Sequence, residues 1–172
     1  MPRRQAGQSL TEFALALPVM LLLLLGAFNI GVLLADKVVA AYATRQGARL
    51  AAELGNGQGT LTTSQIDQQI VSDVTAASSS LTYASIREVD IYAPRAANGV
   101  FNSATDEYDS YDGSGTLLHS GFPGSDRVQV PPNETSIGIR VVWQYSPPTG
   151  SSAISVSSSE YTVMKASPVL AS

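Results

Sequence analysis

The chain has 172 residues, of which 44% are hydrophobic and only 14% charged, with a mean hydropathy of +0.10 and a formal net charge of −4. An average soluble domain carries about 25% charged residues, so the apolar residues here must be concentrated in one stretch, which excludes a simple soluble cytosolic enzyme. The sequence has no cysteine and a single histidine, His119. That leaves no disulfide framework, thiolate nucleophile or CxxC zinc site, and at most one imidazole for acid–base work. From Gly55 onward five basic residues face eleven acidic ones. Such a surface is a poor match to nucleic acid or anionic lipid.

Residues 1–7 (MPRRQAG) form a short basic leader, and residues 8–54 read as one long helix. Within it Phe13–Ala35 is free of formal charge, Asn29 being its one strongly polar side chain. A run of that length spans a hydrocarbon layer of about 30 Å. The run is longer than the apolar core of a cleavable secretory signal and continues without punctuation into DKVVAAYATRQGARLAAEL, which favours a retained anchor. Arg3-Arg4 lacks the residues that follow the pair in a twin-arginine signal. A helix from Ser9 to Leu54 would be about 69 Å long, so its second half must project into water or pack on something. Arg49 and Glu53 are spaced to pair on an exposed face, and Gly55-Asn56-Gly57 is a stop signal. Lys/Arg counts on the two sides do not orient the segment.

Three features of the helix carry chemistry. Glu12 puts a carboxylate at the edge of the span, where an unpaired charge is costly. It either neutralises a positive group, such as the α-amine of a neighbouring chain, or completes an S-x-x-E capping box over Ser9–Glu12; its position alone leaves both open. Pro18 removes the donor for the Ala14 carbonyl and reads as a tolerated membrane kink. Ala27, Gly31, Ala35, Ala43, Gly47, Ala51 and Gly55 recur every fourth residue, with Val39 completing the series. A ridge of small side chains lets helix backbones approach closely.

The segment GQSLTEFALALPVMLLLLLGAFNIGVLLADKVVAAYATRQGARLAAELGNG closely resembles the TadE-like family, minor pseudopilins of the Tad (tight adherence) pilus system. The resemblance rests on Gly7, Glu12-Phe13, Pro18 within an apolar helix, and Gly47-Ala48-Arg49, and covers Ala6 to Gly57. It implies cleavage by prepilin peptidase between Gly7 and Gln8 on the cytoplasmic face, which makes Gln8 the first mature residue and Glu12 the fifth. It further implies a single-pass protein of the inner membrane, N-terminus cytoplasmic, with the C-terminal part extracytoplasmic and the mature chain a candidate for the surface pilus. Other pilins and pseudopilins of the Tad system and the inner-membrane assembly platform are the implied partners, with the lipid bilayer as surroundings. Glu12 would then meet the α-amine of a neighbouring Gln8. Phe13 and Pro18 belong to the same assembly segment, and the small-residue ridge suits a helical bundle.

Residues 55–172 read as an extracytoplasmic α+β domain. Thr63-Ser64 caps an amphipathic helix that carries Ile66, Ile70 and Val74 and ends at Ser78-Ser79-Ser80. Strands are expected at Ala84–Ala93, with imperfect alternation, at Ile137–Tyr145 and at Ala153–Met164, the last two joined through Pro147-Pro148-Thr149-Gly150. The expected architecture is a roughly three-stranded antiparallel sheet against the long helix, as in a pilin-like fold. Residues 95–136 read as a long loop. Its acidic stretch Asp106–Asp112 fails as an EF-hand, because Tyr108 and Ser110 fall at ligand positions and His119 where the bidentate glutamate belongs. A solvated acidic loop without metal is the expectation there, with a non-EF calcium site as the lesser alternative, and no cofactor is expected. Asn133-Glu134-Thr135 is a formal glycosylation sequon.

The sequence therefore points to a structural subunit that assembles and does not catalyse. Ser120 beside His119 has no G-x-S-x-G or comparable signature to make it a nucleophile. The alternative is a membrane-tethered extracytoplasmic binding domain that never enters a filament, which would not need the Gly7/Glu12 register.

Overall fold

A computed structural model describes residues 3–55, 61–128, 134–148 and 155–166, with side chains from Ser9 onward. Helix α1 runs from Arg3 to Leu54. It begins within the expected leader, so in the full chain Ser9 lies inside the helix. Pro18 sits within α1. The helix stops at Gly55, whose φ of +53° is the left-handed conformation that ends helices and that glycine adopts without steric cost.

Helix α2 spans Thr63–Ala77. Its cap is Thr62, one residue earlier than expected: the hydroxyl accepts from the Gln65 amide while the Gln65 side chain accepts from the Thr62 amide, a reciprocal capping box. Ile66, Ile70, Val71 and Val74 are buried, as the helical spacing expects.

Among the described residues five strands form one sheet, against the roughly three expected: β1 (Ala84–Ala93), β2 (Glu107–Asp112), β3 (Leu117–Ser120), β4 (Ser136–Tyr145) and β5 (Val156–Lys165). The order is β3-β2-β1-β4-β5 and every neighbouring pair is antiparallel. The architecture is α+β. The expected loop 95–136 thus contains a hairpin, and its acidic stretch is strand β2, with Asp109 and Ser110 buried. The expectation of a solvated loop fails because these polar side chains are satisfied within the protein, by backbone amides and by side chains of other elements. The β4–β5 connection joins strands that do pair, and residues 149–154, with the expected start of β5 at Ala153 and Ile154, lie outside the described residues. The sequon's Asn133 does too.

A β-bulge between Ile86 and Glu88 explains the imperfect alternation of β1. The extra residue lets Ile86, Val89 and Ile91 share the face that meets the helices. Opposite them on β4 stand Ile137, Ile139, Val141, Trp143 and Tyr145. Helix α1 lies across β4 and β5, with α2 beside it, so the core is a layer between two helices and one sheet face. The other face is covered by the segment before β2. Tyr92 Oη donates to the Gly99 carbonyl at 2.7 Å, Phe101 stands edge-on to Tyr92 and Tyr108, and Tyr108 stacks on His119. Gly138, paired with Tyr92 across the strands, leaves room for that ring; a Cβ there would collide with it.

Candidate functional site: the two halves of the long helix

Helix α1 divides at Asn29. Every side chain from Ser9 to Phe28 is exposed, including Phe13 at 60% and all the leucines of the central run. From Asn29 onward the helix is held by the domain. Tyr145 Oη lies 3.4 Å from both the Asn29 carbonyl and its side-chain oxygen. Val32 and Leu33 pack on Trp143 and Tyr145, together with Ala40. The buried Asp36 carboxylate accepts the backbone amides of Thr82 (2.8 Å) and Tyr83 (3.1 Å), pinning the entry to β1. Lys37 reaches Glu160 of β5 at 3.8 Å.

The small-residue ridge is split by this arrangement. Ala43, Gly47 and Ala51 are buried against the chain's own α2 and sheet, where they are not available to a neighbouring helix. A Cβ on Gly47 would run into the Val74 methyl, with Ile139 3.5 Å away. Ala27, Gly31 and Ala35 remain exposed, and nothing approaches Gly31 within 4 Å. Glu12, Phe13 and Pro18 all lie on the exposed upper half. Gly7 and Gln8 lie in helical backbone. On the lower half Ile30, Leu34, Val38 and Tyr42, four residues apart, form an exposed apolar stripe. Arg49 pairs with Glu53 at 2.8 Å, as their spacing expects.

Sequence reasoning missed the buried charges. Arg127 contacts both Asp67 and Asp109, and all three are buried. Asp67 left a trace, since it falls among Ile66, Ile70 and Val71 on the apolar face of α2, but nothing in the sequence names its partner. On the outer face Asp90 is wholly buried next to Arg140, whose Nη1 is 2.9 Å away. Among the described residues no hydrogen bond reaches either Asp90 oxygen, so this contact is Coulombic attraction without hydrogen-bond alignment. Burial pushes the Asp90 carboxyl up to about 6, against the pull of Arg140.

The acidic residues of the expected loop act on backbone. Asp106 accepts the amides of Arg95 and Asn102, and Asp109 those of Gly121 and Phe122. Asp112 accepts from Ser114 and Thr116 in the β2–β3 turn. These turn bonds hold the Asp112 carboxyl below its ordinary range, the Ser114 hydroxyl contributing most. His119 and Ser120 are neighbours on β3 and point to opposite faces. A cleft of about 660 Å³ lies between α2 and the β2–β3 turn and is lined by Gln68, Ser72, Thr75, Ser79 and Ser114, with no titratable side chain among its lining residues.

A family model described as TadE-like protein matches residues 7–49. The match lies wholly within α1, which is thus similar to that family over this segment. The matched segment contains Gly7, Glu12-Phe13, Pro18 and Gly47-Ala48-Arg49, the residues on which the sequence resemblance rests. No curated protein and no solved structure matches the chain. The TadE-like segment thus crosses the division at Asn29: its upper part is the bare apolar helix, and its lower part is built into the domain. The helix is long and apolar enough to cross a membrane, with none of its most apolar window buried.

Proposed function

We propose that this chain is a minor pseudopilin-type subunit of a Tad adhesion pilus, anchored by one membrane-spanning helix and acting by assembly, not by catalysis. In this reading prepilin peptidase cuts between Gly7 and Gln8, and the bare upper half of α1 then packs among the helices of other pilins and pseudopilins. The observation that carries the proposal is the combination in one TadE-like segment of an exposed apolar helix with Glu12 five residues past Gly7. A carboxylate at the rim of a hydrocarbon layer is costly, by about 2.5–3.5 kcal/mol at the centre of a span, and meeting the α-amine of a neighbouring Gln8 would offset two desolvation costs at once.

Glu12 is remote from the domain, which begins its grip at Asn29, so substituting it tests assembly without disturbing the fold. Glu12→Ala is expected to leave the protein in the membrane at normal abundance and to abolish both piliation and surface attachment. Normal piliation by the variant would return the chain to a tethered binding domain.

A further inference from the structure

The outer face of the sheet buries a carboxylate that no hydrogen bond serves among the described residues. Asp90 lies on the middle strand, β1, opposite Ser110 of β2 on one side and Arg140 of β4 on the other. Cross-strand partners point to the same side of a sheet, so these three side chains share the face away from the helices. Residues 94–106 cross that face as a strap. Tyr92, two residues along from Asp90, donates its hydroxyl to the Gly99 carbonyl, and the Arg140 guanidinium lies over the Phe101 ring, 4.5 Å from the centroid. Beneath them Asp90 is wholly buried.

Charge around Asp90 is out of balance. Its own strand brings Glu88 and Tyr92 to the same face, β4 brings Arg140, and further out stand Tyr108 and Asp112 of β2, His119 of β3 and Tyr161 of β5. The remaining charges have other partners. Arg87 bonds Gln144, Arg95 of the strap pairs with Glu107, and Asp106 and Asp112 accept backbone amides. Asp90 and Glu88 therefore share Arg140, whose Nη1 is 2.9 Å from Asp90 and whose Nη2 is 4.0 Å from Glu88. Ser110 gives its hydroxyl to Glu88, which is partly exposed and keeps contact with water. A buried carboxylate with a shared cation and no aligned donor is driven toward its neutral form.

We propose that Asp90 is a proton-binding site built into the sheet, and that the domain is held together more tightly in mild acid than at neutral pH. Burial penalises the ionised carboxylate only in the fold, because the unfolded chain hydrates it. The Asp90 carboxyl is raised from its ordinary 3.8 to about 6 in the fold. Above that value Asp90 carries its charge in both states, and the fold bears the desolvation penalty. As pH falls through it, the fold takes up a proton that the unfolded chain takes up only near the ordinary value, so stability rises across that window. The sign is opposite to that of a paired surface carboxylate, whose contribution is lost in acid. The site belongs to the domain alone and stands or falls independently of the reading of α1 as a membrane span.

Trp143 is the chain's one tryptophan and is buried, so its emission reports unfolding without a label. Denaturant unfolding of the full chain in detergent would be compared at about pH 7.5 and about pH 5 for the wild-type protein and for Asp90→Asn, which removes the proton site. Groups common to both proteins, the buried Asp67 and His119 among them, cancel in the comparison. On moving to the lower pH the folded-to-unfolded ratio of the wild type is expected to rise about tenfold more than that of the variant. Equal responses of the two proteins would overturn the site, as would a larger rise in the variant. Carbon-13 NMR of the Asp90 carboxyl in the wild type gives an answer even where the variant does not fold. A titration midpoint of about 6 is expected. A midpoint of about 4, the ordinary aspartate value, would overturn the proposal.

Discussion

Arg127→Met is expected to cost about 3–5 kcal/mol of folding stability, the range for breaking a buried ion pair by removing one partner. The Arg127 side chain is 1% exposed. Its Nη1 donates to Asp67 Oδ1, while Nη2 reaches Asp67 Oδ2 at 3.0 Å, Asp109 Oδ2 at 2.8 Å and the Phe122 carbonyl at 3.2 Å. Its guanidinium also lies over the Phe122 ring, 4.6 Å from the centroid. One cation thus serves two buried carboxylates and ties α2, β2 and the segment after β3 together. Burial already pushes the Asp67 carboxyl up despite Arg127. Methionine fills similar volume but leaves both carboxylates without their cation, and the desolvation penalty is then uncompensated. Adding Asp67→Asn to the variant is expected to restore part of the loss, since one stranded charge is gone. Denaturant unfolding of the full chain in detergent, followed by Trp143 emission, measures both. A loss under 1 kcal/mol for Arg127→Met would mean the cluster does not hold the domain together.

Gly47→Leu is expected to destabilise by about 1–3 kcal/mol, the usual penalty for forcing extra carbons into a packed core. Two effects oppose each other at this position. Replacing a mid-helix glycine gains up to about 1 kcal/mol in helix propensity. Against that, a Cβ here collides with a methyl of Val74, a β-branched residue with one preferred rotamer in a helix, and Ile139 closes the space behind it. Overpacking wins. Gly31→Ala, sixteen residues earlier on the same ridge, is expected to leave the isolated chain as stable or slightly more so, because its surroundings are open. The same unfolding measurement compares them. Equal responses would contradict the division of the ridge into a lower half used within the chain and an exposed upper half.

Much of this fold was legible where periodicity and capping act locally. The apolar run of α1 and the Ile66–Ile70–Val74 face of α2 are helical patterns that need no tertiary information. Strand β4 was legible because IGIRVVWQY puts alternate large residues on one buried face. Strand β2 was not, since EYDSYD has no apolar alternation: Asp109 is satisfied by Arg127 and two amides, and Ser110 by Glu88 at 2.8 Å. Those partners lie on other elements, and no local window contains them. The imperfect pattern of β1 was a true signal of irregularity whose cause, the bulge after Ile86, required the neighbouring strand. At the candidate site, Glu12, Phe13 and Pro18 were legible as a motif. The fate of the ridge was not, because helical spacing says which residues share a face and not what covers that face. Asn29 marks the same limit: it stood out as the polar residue in an apolar run, yet only Tyr145 shows it to be where the domain takes hold.

The proposed release of this chain for assembly, by cleavage of residues 1–7, is read at the N-terminus of the protein. Intact mass and N-terminal sequencing would compare protein from cells with and without active prepilin peptidase. The account predicts loss of residues 1–7 and a chain beginning at Gln8 only when the peptidase is active. A chain that keeps its first residues in both strains, or one cut beyond Ala35, would contradict it.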